Sequence, residues 1–468
     1  MQKQLIFGCL LILARAAHGE VIVVSQPQTI QAAIKAAKAG DTIQVMPGQY
    51  RESLYVDKDG IHLSGVIKDG QWPVLDGDNV LNDGILVAGH NVTVDHFVVR
   101  HYLGNGIMTQ GANNFAILSN RVEGPGFYGI FPQYGQNGLV AHNVVKGNVT
   151  GIYVGMSKNL DILHNESADN QDEGIEIENS SQVLVEDNYS HGNAVGMVLH
   201  LVPGLPIKSS DHAIIRNNFV VRNDRGAEVK KETAAVSAVD SGTGQYPNGT
   251  GILLDAADSA TIEDNLIEGN PSGAIYITDQ RSGQFFPVPD PKEDPFPDDN
   301  RILENRYIGN GEKPYGRTLK LLSYLKLTKA PDILIFGSGR GNCILGKDMV
   351  SARGAGDWAN CPAGATSAEV TTMRLKNPVV NAPLTLDQKG RLAWLAVCTG
   401  CHSFSTRVMG PPMVAARAPY MGNPQKLADW IANPTKKRAD YPAMPPQNYL
   451  PADVRLSVAK YVLEQAGP

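Results

Sequence analysis

The chain has 468 residues and a formal net charge of −6, with 41 Lys and Arg against 47 Asp and Glu. This length has room for two or more domains. The charge lacks the basic excess that is typical of proteins that bind nucleic acid, so we predict no nucleic-acid partner. After the N-terminal segment no stretch is long and apolar enough to span a bilayer, and we expect no transmembrane segment.

Residues 1–19 have the composition of a signal peptide. A lysine precedes a mainly apolar run from Leu5 to Ala14, and small residues follow. Segments of this kind direct secretion and are absent from the mature protein. We therefore expect cleavage before Glu20 and a periplasmic or otherwise exported protein. A lipid anchor at Cys9 is the alternative.

Residues 29–39 (TIQAAIKAAKA) have the spacing of a short amphipathic helix. Ile30, Ile34 and Ala37 fall on one helical face. The open end of a β-sheet pairs readily with other strands unless something covers it. We predict that this helix caps the N-terminal end of the domain that follows.

That domain consists of a repeated unit with two recurring sequence features. The first is a Gly-Ile pair or a close variant, and the second is an Asn that follows a short apolar run. All intervals between Gly-Ile pairs except the last are 22 to 24 residues. Apolar residues alternate within a unit, as at Ile175 and Ile177, which is the periodicity of a β-strand. The Gly positions are Gly60, Gly84, Gly106, Gly129, Gly151, Gly174, Gly196 and Gly251, and the Asn positions are Asn120, Asn143, Asn165, Asn188, Asn218, Asn265 and Asn305.

This repeat predicts a parallel β-helix over residues 20–310. Each unit would form one turn, because a single turn cannot bury its own apolar face. Ile175 and Ile177 would point inward. Each repeated Gly would occupy a tight corner with positive φ, and the Asn amides would bond one another along the axis. A flat sandwich of short strands is the alternative, but it does not explain so regular a repeat.

Residues 311–375 lose the repeat and are predicted to form the C-terminal cap of the β-helix. They contain Cys343 and Cys361. In an exported protein two such cysteines most simply form a disulfide, which would close a modest loop in this cap.

Two insertions interrupt the repeat, and long loops on a regular scaffold often bind ligands. Residues 224–250 contain Lys230 and Lys231, and residues 279–300 are rich in Pro and Asp. Carboxylate oxygens are ligands for Ca²⁺, although their spacing here is not diagnostic, and solvated loops without a ligand are the alternative. The four aspartates are Asp290, Asp294, Asp298 and Asp299.

Residues 28–345 resemble a family of exported bacterial β-helix-repeat proteins in the pectin-lyase-like superfamily. The resemblance is clearest in GIYVGMSKNLDILHNESADNQDEGIEIENSS and in LVPGLP. It implies a right-handed parallel β-helix and assigns no biochemical role. The segment YGIFPQ also resembles an epimerase motif, Tyr-Gly-Phe-Asp-Pro-His. Phe131 and Gln133 stand at its acid and His positions, so we do not expect that activity at this site.

Near the C-terminus, Cys398-Thr-Gly-Cys401-His402 has the spacing of the attachment motif for c-type haem. Two thiols at this spacing can add to the two vinyl groups of one haem, and the adjacent His then reaches the iron. A redox dithiol and half of a zinc site are the alternatives. Neither requires a His directly after the second Cys, and no second Cys pair exists for zinc. The motif predicts one covalent haem c.

Residues 386–468 resemble a class I cytochrome c domain, a small all-α fold, and residues 376–385 are predicted to be a linker. The resemblance implies that Cys398 and Cys401 bind the haem and that His402 is the proximal iron ligand. Met444, in the Pro-rich segment YPAMPP, would be the distal ligand. The competing methionines are Met409, Met413 and Met421.

An iron with both axial positions filled by His and Met transfers electrons rather than activating small molecules. Residues 386–468 contain ten Lys and Arg against five Asp and Glu. The run Lys436-Lys437-Arg438 lies near Met444 and is predicted to be either a solvated face or a docking patch for an acidic redox partner protein.

The β-helix offers a second candidate site in one outward column of its strands. Glu178, His200 and Asp255 would lie roughly 5 Å apart on successive turns, with Tyr153 and Glu176 beside them. Carboxylates beside an imidazole suit acid–base chemistry or a metal ion, and adjacent aromatic residues would suit a sugar. A polar ladder on a solvated face is the simpler alternative. The insertion that holds Lys230 and Lys231 would wall this groove.

Two functions follow from these observations. The first is a periplasmic electron-transfer protein with a His/Met-ligated haem, whose β-helix binds a ligand, a polysaccharide or a partner. The second is a redox-linked polysaccharide-active enzyme, a lyase, an epimerase or an oxidase of sugars, whose β-helix is catalytic.

Overall fold

The computed structural model describes residues 19–124, 126–225, 246–286, 290–399, 401, 402, 404, 410–441 and 443–465. The signal peptide predicted for residues 1–19 lies almost wholly outside them, as do Lys230, Lys231 and Met409. Within these residues a long parallel β-helix is followed by a small helical unit. No helix of the described residues is long and apolar enough to cross a membrane.

Three parallel sheets run along the solenoid, and each turn adds one strand to each sheet. Sheet 1 comprises Val21–Val24, Thr42–Val45, His62–Gly65, Thr93–Asp95, Ala116–Leu118, Gln136–Ala141, Lys158–Leu163, Ser181–Glu186, Ile214–Arg216, Thr261–Glu263, Arg301–Leu303, Cys343–Ile344 and Ala359–Asn360. Sheet 2 comprises Leu54–Val56, Ile85–Val87, Ile107–Gln110, Tyr128–Gln133, Thr150–Gly155, Glu173–Glu178, Val195–His200, Thr250–Asp255, Gly273–Thr278, Ile333–Phe336 and Ala352–Arg353. Sheet 3 comprises Gly48–Tyr50, Pro73–Asp76, Val98–Arg100, Arg121–Glu123, Val144–Lys146, Glu166–Ala168, Tyr189–His191, Phe219–Val221, Leu266–Glu268 and Arg306–Ile308.

Helices lie at the ends and on the outside of these sheets. The α-helices are Ile30–Ala36, Gln280–Gly283, Gly316–Tyr324, Leu386–Ala393, Met413–Ala416, Pro424–Ala432 and Ala452–Glu464. Short 3-10 turns lie at Lys347–Met349, Ala355–Asp357 and Ala418–Tyr420, and a π-helical turn at Trp394–Cys398. In the first helix Ile30 and Ile34 are buried against the N-terminal turns, as the apolar face predicts.

The core of the solenoid is built by the inward positions of successive strands. Ile177 pairs with Val154 on one side and with Leu199 on the other, and all three are buried. The period-two pattern and the predicted stacking of turns are therefore confirmed.

The predicted asparagine ladder is also present. The Asn165 amide nitrogen donates to Oδ1 of Asn188 at 3.0 Å, and Oδ1 of Asn165 accepts from the Asn143 amide at 3.0 Å. A second ladder lies five residues after the first in every copy from Asn143 onward, and it was not predicted although this fixed offset is visible in the sequence. It comprises Asn148, Asn170, Asn193, Asn223, Asn270 and Asn310.

The role predicted for the repeated glycines is wrong for most of them. Gly174 is the second residue of the sheet 2 strand Glu173–Glu178 and does not have positive φ. A Cβ built on it would overlap the Ser190 hydroxyl and the Asn193 amide, and also the carbonyl oxygen of Gly196 in the next turn. The position requires Gly because turns approach closely there. Asn, Asp and His instead occupy many of the positive-φ corners, as at Asn137 and His164.

The β-helix extends beyond residue 310, where the repeat was predicted to end. Strands Ile333–Phe336 and Cys343–Ile344 continue sheets 2 and 1. The Gly-Ile pairs and Asn residues no longer recur regularly there, but the strands keep their apolar residues. Helix Gly316–Tyr324 buries Leu322 against the outer face of sheet 2 rather than covering the end. Cys343 and Cys361 form a disulfide, with Cα atoms 4.9 Å apart.

The predicted linker, residues 376–385, has no helix until Thr385 caps the next one, but it is hydrogen-bonded to the β-helix. The Asn113 amide donates to Oδ1 of Asn381 at 2.8 Å, and the Val379 N–H donates to Oδ1 of Asn114 at 2.8 Å. This segment runs along the solenoid surface instead of separating two independent bodies.

The helical unit also docks directly on sheet 2. Its Ala396 and Leu450 are buried in one apolar cluster with Met108 and Phe131 of the β-helix. At the edge of this contact the Tyr449 hydroxyl donates to Asp83. The two domains predicted from the sequence have separate cores but share a third cluster between them.

Ile177→Asp would place a charge inside the solenoid, where no partner is available. We expect it to lower the free energy of unfolding by at least about 3 kcal/mol. The helical unit should lose stability with it, because its docking surface is sheet 2. Urea unfolding followed by circular dichroism measures the loss. Ile308→Asp, at a strand position that is 37% exposed, should change stability by only about 0.5 kcal/mol. Equal losses in the two variants would contradict this account.

Candidate functional site

The predicted outward column of sheet 2 exists in the structure. Glu178, His200 and Asp255 are direct neighbours in the strand register. Glu176 lies beside Tyr153 of the preceding turn. All five side chains lie on the outer face because the alternating apolar residues face the core.

Three of these side chains converge. Nε2 of His200 lies 3.0 Å from Oε1 of Glu176, and Nδ1 of His200 lies 2.6 Å from the Tyr246 hydroxyl. The Tyr153 hydroxyl donates to Oε2 of Glu178. Glu176, Glu178 and His200 each offer one potential ligand atom, and these three atoms lie within 4.8 Å of one another. We call these three residues the acid–histidine cluster.

The alternative of a solvated polar ladder is wrong, because the cluster is buried. His200 is 1% exposed and Asp255 is 0% exposed. The rings of Tyr246 and Phe286 lie over His200 at centroid distances of 5.8 and 6.1 Å. Both residues belong to the insertions that were predicted from the broken repeat, so the insertions cover the column.

Burial governs the electrostatics of the cluster. It raises the pKa of Glu178 to about 7 and that of Asp255 to about 7, since a charged carboxylate is poorly solvated there. Burial lowers the pKa of His200, but the neighbouring Glu176, Glu178 and Asp255 raise it above its ordinary value overall. The site therefore holds groups that change protonation state near neutral pH.

Further residues of this region were not identified from the sequence. Glu173 is buried and accepts a hydrogen bond from Thr150 at 2.7 Å, and burial raises the pKa of Asp172 to about 6. The density of acids in Asp172-Glu-Gly-Ile-Glu-Ile-Glu178 could have indicated them. Tyr246 lies in an insertion without periodicity, where no pattern points to it.

An apolar cavity of about 330 Å³ lies between the helical unit and the β-helix. Cys398, Cys401, His402 and Met444 all line it. Nδ1 of His402 lies 3.0 Å from the Pro411 carbonyl oxygen. That hydrogen bond orients the ring and leaves Nε2 available to a ligand.

The competing methionines differ in position. Met413 also lines the cavity, although it packs in the core of the helical unit. Met421 is 58% exposed and does not line it. The run Lys436-Lys437-Arg438 is exposed at the cavity rim, where Arg438 pairs with Asp440 at 2.6 Å.

The β-helix forms part of the cavity wall. Tyr128 and Phe131 line the cavity, and their rings lie 4.5 and 4.7 Å from the ring of Tyr153. Since Tyr153 bonds Glu178, an unbroken chain of contacts joins the cavity to the acid–histidine cluster. Asp83 also lines the cavity, and it accepts a hydrogen bond from the Asn105 N–H at 2.7 Å.

Three of the four aspartates considered for Ca²⁺ contact protein groups. Asp290 pairs with Lys208 at 2.6 Å, and Asp298 pairs with Arg340 at 3.1 Å. Asp294 accepts a hydrogen bond from the Phe296 N–H at 3.2 Å. The first two contacts connect the insertion to other segments of the chain, and the third lies within the insertion.

Comparisons with known proteins support the fold. A family model described as a right handed beta helix region matches residues 83–241, which confirms the right-handed parallel β-helix. No curated protein sequence matches the chain.

Solved structures resemble the chain at low sequence identity. The Azotobacter vinelandii mannuronan C-5 epimerase AlgE4 A-module is 17% identical, with a TM-score of 0.49, over 68% of this chain and 83% of that one. An alginate lyase from Paenibacillus sp. is 15% identical, with a TM-score of 0.45, over 63% and 99%. DFA-IIIase from Arthrobacter chlorophenolicus is 14% identical, with a TM-score of 0.47, over 74% and 99%.

Gly410→Ala is expected to disturb the cavity, because a Cβ on Gly410 would overlap Cε1 and Nδ1 of His402. The ring would have to move away from the Pro411 carbonyl. We expect a loss of about 1–3 kcal/mol in stability, measured by thermal unfolding. Gly356→Ala is the matched control, since a Cβ there meets no heavy atom within 4 Å. A Gly410→Ala protein as stable as this control would show that the packing around His402 is loose.

Proposed function

We propose that this protein is an exported, haem-linked enzyme in which the β-helix is the catalytic domain and the C-terminal unit is a class I cytochrome c domain. One observation carries the proposal. Tyr128 and Phe131 belong to the cavity wall and also pack on Tyr153, which bonds the acid–histidine cluster. Two chemically distinct sites are thus held against each other by one set of aromatic rings.

The cavity fits a covalently bound haem c. The two thiols of the CxxCH motif, His402 and Met444 lie around a single apolar space, and the Pro411 carbonyl presets the tautomer of His402. Cys398 and Cys401 would hold the haem, and His402 and Met444 would bind its iron. When bound, the group supplies a one-electron redox centre whose potential is raised by Met ligation. Covalent attachment of this kind takes place outside the cytoplasm in bacteria, which agrees with the predicted signal peptide.

The residues of the β-helix would bind and orient the substrate. Carboxylates beside aromatic rings suit a hydroxylated ligand such as a sugar, and the column presents Glu178 next to Tyr153 and His200. The outer face of sheet 2 is covered on these turns by the helical unit and by the insertions. Because the described residues on this face are largely buried, we propose a small sugar or a chain end, rather than the middle of a polysaccharide, as the substrate class.

A second function, an electron carrier with a purely binding β-helix, is favoured by the exposed Lys436-Lys437-Arg438 run at the cavity rim. A cationic rim beside a redox centre would attract an acidic partner protein. In that case electron transfer with such a partner would depend strongly on ionic strength, and no sugar would alter the oxidation state.

Met444→Ala is expected to remove one of the two side chains that would bind the iron. Exogenous imidazole should then bind with a change in the absorption spectrum, and the midpoint potential should fall because the thioether is lost. Met421→Ala is the control, since Met421 lies outside the cavity. Unchanged ligation in Met444→Ala would transfer the distal role to another methionine, with Met413 the first to test.

The enzyme proposal is tested by mixing the oxidised full-length protein with a panel of mono- and oligosaccharides while its haem spectrum is recorded. We expect at least one sugar to reduce the haem, with the two electrons of each oxidised sugar passing to the haems of two protein molecules in turn, and with a rate at least tenfold lower in Glu178→Gln. Glu166→Gln, whose carboxylate pairs with Lys146 and His191 on sheet 3, should behave as the parent. If no sugar changes the spectrum of a protein that redox proteins do reduce, the electron carrier is the correct function.

A further inference from the structure

The acid–histidine cluster has the donor set of a metal site. Its three ligand atoms lie within 4.8 Å of one another, and among the described residues no other group of three His, Cys, Asp or Glu converges in this way. Ligand atoms about 2.1 Å from one ion lie about 3 to 4 Å apart. Small side-chain rotations would therefore bring all three onto a common ion.

Unpartnered polar atoms point to the same place. Nε2 of His200 lies 3.0 Å from Glu176, yet no group of the described residues forms an aligned hydrogen bond with it. Asp255, paired with His200 in the strand register, is fully buried, and within the described part of the chain neither of its carboxylate oxygens has a hydrogen-bond partner. Buried polar groups without partners are costly and uncommon. A cation at the cluster would bind Nε2 of His200, and its positive charge would offset the buried carboxylate of the neighbouring Asp255.

The surroundings also orient the ligands. If the Tyr246 oxygen accepts the proton of Nδ1 at 2.6 Å, the lone pair of His200 is on Nε2, which faces Glu176. The Tyr153 hydroxyl holds one oxygen of Glu178 and leaves the other free to turn to an ion. Hydrogen bonds of this kind fix the ligands of metal sites in their binding orientation.

We propose that Glu176, Glu178 and His200 bind one divalent first-row transition-metal ion, with Asp255 as the adjacent further carboxylate. An imidazole with carboxylates suits Zn²⁺, Mn²⁺ or Fe²⁺, whereas Ca²⁺ takes oxygen ligands alone. The site uses residues of the β-helix only, and it stands whether or not the haem-linked function is correct. A metal ion here would act as a Lewis acid toward a hydroxylated ligand.

The test uses the full-length protein after treatment with a chelator. Isothermal titration with Zn²⁺, Mn²⁺ and Ca²⁺ is expected to show one Zn²⁺ or Mn²⁺ site per chain, with Ca²⁺ at least tenfold weaker. Zn²⁺ should raise the melting temperature, and the chelator should reverse the rise. Glu176→Gln and Glu178→Gln should weaken Zn²⁺ binding at least tenfold and abolish the thermal shift, and Glu166→Gln should retain both.

Each outcome decides the proposal. A parent protein that binds neither Zn²⁺ nor Mn²⁺, or that binds Ca²⁺ equally well, overturns it. So do Gln variants that bind as the parent does. Because each Gln keeps its shape and removes a buried negative charge, the metal-free variants should be at least as stable as the metal-free parent. Variants that unfold would show that the cluster serves folding instead. Metal binding without sugar-dependent reduction would reject the proposed enzyme and leave this site intact.

Discussion

The stacking of one turn on the next is the constraint on which the rest of this structure depends. Side-chain amides such as Asn165 bond the turns above and below, and the backbone strands pair in the same direction. Each turn must therefore repeat the same path, and any outward position becomes a column of side chains along the axis. For that reason the acid–histidine cluster forms from a column of side chains. Longer loops can be inserted only between strands, where they do not disturb the stacking.

The segments that lie outside the repeat pack on the outer face of sheet 2. The helical unit covers its earlier turns through Ala396 and Leu450. Over the later turns, residues of the two insertions and helix Gly316–Tyr324 cover it. Carboxylates that would be well solvated on an open solenoid thus lie in a low-dielectric environment. Their burial has a free-energy cost that neighbouring charges or a bound cation must offset.

The two candidate sites are related by this cover. Docking of the helical unit places its cavity against Tyr128 and Phe131, so the wall of one site is also the packing surface of the other. An aromatic wall excludes water. The rings of Tyr128 and Phe131 contact the ring of Tyr153, and these contacts connect the cavity to the acid–histidine cluster. Asp83 and Tyr449 close the edge of the interface with a buried hydrogen bond, which ties the position of the helical unit to one turn of the solenoid.

The sequence by itself determined the parallel β-helix, because its apolar alternation and its recurring glycines and asparagines are local features that each turn repeats. It also determined which residues share a column, since Glu178, His200 and Asp255 occupy the same position relative to the repeated glycines Gly174, Gly196 and Gly251. The second asparagine ladder was equally readable from its fixed offset. Only the tertiary structure decided that the column is buried, that Tyr246 bonds His200, and that the helical unit docks on sheet 2. These contacts join segments far apart in the chain through surfaces without periodicity, and no local pattern encodes them.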